Sequence, residues 1–186
     1  MQKVLFRGNK FTIVQETVRV GKSTRETEYC KRGSSVVVLV VSDGGKLLLL
    51  KEKRRERGGY SWGLVAGHIE RGEERNPMAA AKRELKEEAG IIPKKMRLFF
   101  ISEPSSSIKW KRYVYLVEGL EKSNMFSKMD ADEKIEVHYV SHYTALQMAL
   151  RGDIKNETAA LAIIKYLSKK YACFGKQASR GNTKNG

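Results

Sequence analysis

The order of apolar patterns predicts an α/β fold, a mixed sheet packed between helices with an antiparallel strand extension at the N-terminus. Three observations carry that reading. Strand-like stretches rich in β-branched residues fill Lys10 to Glu52, an acidic helical pattern with its own end signals follows at Pro77 to Ala89, and further strands then give way to two closing helical patterns. A chain of 186 residues has the length of one domain, which clusters at about 100 to 200 residues. Residues 1–34 read as the strand extension, 35–172 as the main domain and 173–186 as a basic tail expected to be disordered.

In chain order, Lys10 to Val20 and Thr24 to Lys31 are extended pieces separated at Gly21, the pattern of a hairpin. Ser35 to Val41 and Lys46 to Glu52 are strands joined by the turn Asp43-Gly44-Gly45. Val36 to Val41 is apolar without alternation, as in a strand buried on both faces. The segment Trp62 to Gly67 leads to the acidic helix, for which Asn76 is the N-cap, Pro77 the first helical residue and Gly90 the left-handed terminator. Strands are then expected at Arg97 to Ser102, Arg112 to Glu118 and Ile135 to Ser141. Helices follow at Tyr143 to Leu150 and from Glu157 to about Tyr171, the last with Ala160, Leu161, Ile164 and Leu167 on its inner face.

Composition narrows the functional classes. The apolar runs Val36 to Val41 and Leu47 to Leu50 are far shorter than the about 20 residues of a membrane span, and MQKVLFRGNK lacks a signal-peptide core, so a cytoplasmic protein is expected. Cys30 and Cys173 have no metal-ligand spacing and are too few for a disulfide framework. A net charge of +15 from 36 basic and 21 acidic residues attracts polyanions, from nucleotides to RNA, without choosing among them.

On the acidic helix, Met78, Ala81, Leu85 and Ala89 form an apolar stripe, while Glu84, Glu87 and Glu88 fall together on another face. Like charges at this spacing cost about 0.2 to 0.5 kcal/mol per pair. A hard divalent cation would compensate them, as would a solvated face balanced by Lys82, Arg83 and Lys86.

The order of residues separates these readings. The stretch from Gly67 to Ile91 resembles the Nudix box, G-x5-E-x7-R-E-U-x-E-E-x-G-U with U a bulky aliphatic. RELKEEAGI, Arg83 to Ile91, matches every fixed position of its second half, and Gly67 and Glu73 match the first. One departure is that nine residues, Glu74 to Lys82, stand where the pattern has seven, with the two extra at or before the helix start, where a loop absorbs them. The wider chain, from Lys10 to about Tyr171, is similar to ADP-ribose pyrophosphatases: ETVRVGKSTRETEYCKRGSSVVVLVV resembles their N-terminal strands, LLLLKEKRR a strand end, and GDIKNETAALAIIKYL their last helix.

The resemblance implies a Nudix-type α/β/α sandwich and a magnesium-dependent hydrolysis of ADP-ribose or a related nucleoside diphosphate sugar, with manganese as the alternative metal. It implies metal ligands at Glu84, Glu87 and Glu88 and at the carbonyl of Ala66, with Glu73 and Arg83 holding the loop against the helix. Glu133, in the acidic turn DADEKIEVHYV, resembles a glutamate outside the box that assists catalysis, with Asp130 and Asp132 as rivals. By position Arg25, Lys51 and Arg54 are candidates for diphosphate or ribose contacts, and Trp110 for base stacking. In that family the N-terminal strands are shared in a homodimer. The expected partners are thus a nucleotide-sugar substrate and a second copy, with no membrane and with nucleic acid compatible but not required.

Departures bear on the substrate. Where the family has E-L-P-A-G before the box, this chain has Gly63-Leu64-Val65-Ala66-Gly67, and R-Q-Y-R becomes Lys51-Glu52-Lys53-Arg54. Two rival readings follow. One is an RNA-end or nucleoside triphosphate pyrophosphohydrolase, which the basic charge suits, and the other a noncatalytic nucleotide-sensing module, whose usual mark is loss of box glutamates that are all present here.

Overall fold

The computed structural model describes residues 2–54, 59–103, 107–120 and 135–180, with Arg54, Leu120 and 173–180 described by their backbone alone. Two mixed sheets and three helices make up the fold. The N-terminal sheet orders β1 (Gln2–Arg7), β2 (Phe11–Val20) and β3 (Ser23–Arg32) antiparallel, then adds β9 (Ile108–Lys109) parallel to β3. Two of these strands depart from expectation: β1 lies ahead of the expected hairpin, and β9 forms inside the polar loop before Trp110. Both are short segments without clear alternation, ordered by pairing with a neighbour rather than by their own pattern.

The central sheet runs β11 (Ile135–Val140), β5 (Leu47–Arg54), β4 (Ser35–Ser42), β10 (Arg112–Leu120), β8 (Arg97–Ser102), with β6 (Gly59–Gly63) pairing β5 and β7 (Val65–His68) pairing β4. Strands β4 and β10 are parallel, while β8 and β11 pair antiparallel to their neighbours. Every residue of β4 up to Val41 is buried, as its unbroken apolar run requires. Its alternate side chains feed two cores. Val37, Leu39 and Val41 pack with α2 (His142–Leu150) and α3 (Glu157–Arg180) through Ala145, Met148, Ala159 and Ile163. Val36, Val38 and Val40 pack on the opposite face with Ala80, Ala81, Leu85 and Ala89 of α1 (Pro77–Ala89). Helices on both faces of one mixed sheet are the expected α/β/α sandwich, with α1 on one side and α2 and α3 on the other.

Three local expectations change. Asn76 occupies the N-cap position of α1 but makes no side-chain cap bond; its carbonyl accepts from Ala79 N at 2.9 Å while Pro77 removes one orphan donor. The inner face of α3 is carried by Ala159, Ala162, Ile163, Tyr166 and Leu167, and Leu161 is 42% exposed. The amphipathic Tyr166 turns the stripe, burying its ring while its hydroxyl reaches Glu118 Oε1 at 3.4 Å. Finally, α3 continues to Arg180, beyond Tyr171 and through much of the segment read as a tail. No helix of the described residues is long and apolar enough to cross a membrane.

Candidate active site

Strand β7 sets Ala66 and Gly67 beside the C-terminal half of α1, where Glu84 and Glu88 lie, by pairing with β4 at Val37↔Ala66 and Val36↔Gly67. The close approach explains the glycine. A Cβ at Gly67 would stand inside the Glu84 carboxylate. Next to it the Ala66 N–H donates to Glu88 Oε2 at 3.1 Å, so two box glutamates reach back from the helix to the strand end.

Arg83 is the hub that holds loop and helix together. Its Nε and Nη2 donate to the two oxygens of Glu73, each at 3.2 Å, Nη2 also donates to the His68 carbonyl at 2.9 Å, and Nη1 donates to Glu84 at 2.8 Å and Glu87 at 3.0 Å. The bidentate bond to Arg83 lowers the Glu73 carboxyl below its ordinary value, and those carboxylates raise Arg83. Glu84, only 12% exposed, goes the other way: burial raises its pKa, partly opposed by the Arg83 charge. Arg83 thus ties the loop residues Glu73 and His68 to the helix.

A divalent cation suits this donor set. Glu84, Glu87 and Glu88 supply hard oxygens at one end of the helix, Gly67 leaves room for the Glu84 carboxylate, and a cation would favour the charged form of that desolvated carboxylate. Among the described residues no three His, Cys, Asp or Glu side chains already converge in a metal-ready cluster. The reason is visible: Arg83 occupies Glu84 and Glu87, and an arriving cation would compete with it for both.

A cavity of about 510 Å³ opens beside Ala66 and Glu88, walled by Glu52, Trp62, Arg32, Trp110, Arg112 and Asn156 among others. Of the anticipated residues, Ala66, Glu88 and Trp110 line it. Arg25 stands on the N-terminal sheet opposite Val18, and Lys51 pairs with Glu136 at 3.4 Å and lies 4.2 Å from the Tyr60 ring; neither lines the cavity. Arg54 closes β5 opposite Gly59, and Glu133, with Asp130 and Asp132, lies outside the described residues. His138 packs edge-on against Trp62 and contacts Glu136 at 3.0 Å, a structural setting.

Trp110 has company that stacking a base would have to displace. Its ring centroid is 4.2 Å from the Arg32 guanidinium carbon and 3.7 Å from that of Arg112, and its Nε1 donates to Ser35 at 3.1 Å. Sequence reasoning missed Arg32, Arg112 and Asn156. The available signal was faint: an arginine opening the buried strand RYVYLV, and an asparagine ahead of the last helix.

With this geometry in view, similarity to known proteins takes on meaning. A sequence model of the NUDIX domain matches residues 31–160, more than half of the chain. The chain belongs to the Nudix family. It is 35% identical over 103 residues to the ADP-ribose pyrophosphatases of Escherichia coli strain K12 and of Shigella flexneri, covering 54% of this chain and 48% of those proteins. The aligned part spans about half the length of these curated relatives. A crystal structure of an ADP compounds hydrolase superposes with a TM-score of 0.68 at 20% identity, covering 91% of this chain and 93% of that one, a likeness of fold.

Proposed function

We propose that this chain is a divalent-metal-dependent pyrophosphohydrolase that cleaves the diphosphate of ADP-ribose or a related nucleoside diphosphate sugar, giving a nucleoside monophosphate and a sugar phosphate. The observation that carries the reading is the return of Glu84 onto Gly67 and of Glu88 onto Ala66, the second pair lining the cavity. It gives the three box glutamates a purpose beyond solvation. The similarity to ADP-ribose pyrophosphatases supports the substrate class.

Magnesium is the proposed ion, with manganese as the alternative, and Glu84, Glu87, Glu88 and the Ala66 carbonyl are the proposed ligands. When bound it neutralises phosphate oxygens and lowers the pKa of water. The chain's own residues do the rest. Arg83 holds Glu73 and the His68 carbonyl so that the box loop stays against α1, and the cavity confines the diphosphate beside them. Glu133 is the proposed acceptor of the water's proton.

A homodimer belongs to the same proposal, with residues 1–34 as the shared extension. Val4, Leu5, Phe6, Phe11 and Val20 are all exposed apolar side chains, divided between the two faces of the N-terminal sheet, and a second copy would cover part of them. The direct test of function is a panel of ADP-ribose, other nucleoside diphosphate sugars, nucleoside triphosphates and capped RNA with magnesium, reading phosphate released by a coupled phosphatase. Turnover of diphosphate sugars above all others is expected. Preference for triphosphates or RNA ends would replace the substrate assignment, and no turnover of any would overturn it.

A further inference from the structure

The corner of the cavity formed by Arg32, Trp110 and Arg112 has no part in the metal chemistry proposed above. Arg112 Nη1 donates to Thr158 Oγ1 at 2.6 Å and Asn156 Oδ1 at 3.3 Å, and Arg32 Nη2 lies 3.2 Å from His68 Nε2. Thr158 and Asn156 are uncharged. The arginine ion pairs of the described residues belong to Arg83, Arg97 and Arg151; Arg32 and Arg112 have none. Each also keeps a buried Nε without a hydrogen-bond partner.

Two guanidinium groups on one indole, one of them substantially desolvated, are an expensive arrangement if nothing answers their charge. Cation–π attraction offsets only part of it. It leaves the unsatisfied donors untouched. A planar fork of N–H groups matches two oxygens of a phosphate, and two such forks fixed on one rigid ring are preorganised for it. Lys155 lines the same cavity as a third positive charge, against three acidic residues, Glu52, Glu88 and Glu157, of which Glu157 acts on Arg112.

We propose that Arg32 and Arg112, presented on Trp110, form a phosphate-binding subsite that selects substrates by a phosphoryl group. The word substrate rests on the hydrolase reading; the binding of phosphate does not. The phosphoryl group comes either from the diphosphate that is cleaved or from a further phosphate on the nucleoside or the sugar. Trp110 is then the platform of the subsite rather than a partner for the base.

The test is calorimetric titration of the full chain with pyrophosphate and with orthophosphate, in EDTA and at low ionic strength, so that neither metal nor turnover contributes. Pyrophosphate should bind the wild type, and Arg32→Met and Arg112→Met should each weaken it at least about tenfold, with Arg112→Lys restoring part of the loss. Lys22→Met, at the exposed hairpin turn, controls for the net charge of +15. A parallel loss for orthophosphate would show that one phosphoryl group fills the corner, whereas a loss for pyrophosphate alone would assign it to a diphosphate. Arg112→Met also removes bonds to Asn156 and Thr158; should it fail to fold, Arg32→Met decides. No binding by the wild type, unchanged binding by the folded arginine variants, or an equal loss in Lys22→Met would overturn the subsite. Failure here with intact hydrolysis leaves the activity standing, and binding without hydrolysis leaves the subsite standing.

Discussion

At the scale of single residues, Arg83 shows how one side chain does several jobs. It is 24% exposed and binds Glu73, Glu84, Glu87 and a backbone carbonyl, so replacing it leaves the largely buried Glu84 side chain with less compensation. The sign of its pH dependence follows from Glu73. Its folded pKa lies below the ordinary 4.5, so its contribution is present above that value and is lost as pH falls through the folded pKa. Arg83→Met should therefore be less stable than wild type at neutral pH, and the gap should shrink on acidification below about 4.5. Denaturant titrations from pH 3 to 7 check it, and a constant gap would show that Glu73 gains nothing from Arg83. Glu133 permits a different test. Glu133→Gln should lower kcat by about 10² to 10⁴ with KM little changed, as for a positioned general base. If high magnesium restored kcat, Glu133 would be a ligand instead, and the base would be sought at Asp132.

Among the elements, α1 was the most legible in sequence. Its boundaries, apolar stripe and αL terminator at Gly90 (φ 65°) all stand where Pro77, Leu85 and the glycine place them, because each signal is local. The closing helix was less so. Its buried set includes Tyr166, whose polar end makes periodicity ambiguous until the Glu118 partner on β10 is known. Its start depends on Asn156, whose Oδ1 accepts from Thr158 N at 3.1 Å and Ala159 N at 3.2 Å as well as from Arg112. Asn156→Ala should cost about 1 to 2 kcal/mol and lower Tm by about 2 to 5 °C, while Asn156→Asp keeps the cap. Thermal unfolding of the two variants decides; equal Tm values for Ala and wild type would mean that the cap contributes nothing.

For the molecule as a whole, the box was readable because its residues lie within one loop and one helix. The Arg32–Trp110–Arg112 corner was not, since β3, the approach to β10 and the start of α3 meet there only through the sheet order. Nothing local distinguishes two arginines among 36 basic residues. Lys51 illustrates the converse: a lysine in a family-like strand end turns to Glu136 rather than to the cavity. The N-terminal sheet carries a prediction at this scale, because its apolar side chains are exposed in a single chain. Sedimentation at micromolar concentration should give a dimer, and Phe6→Lys with Val4→Lys should yield a monomer of normal circular dichroism. Wild-type monomer alone would contradict it.

The measurement that bears most directly on the central claim is hydrolysis of ADP-ribose at saturating magnesium by wild type and by the Glu87→Gln/Glu88→Gln double variant, with circular dichroism to verify folding. The account predicts metal-dependent release of AMP and ribose 5-phosphate by the wild type and a loss of at least about 10²-fold in the folded double variant, the scale of removing charge stabilisation from a transition state. Full turnover by that variant would contradict the assignment of the acidic helix as the metal site.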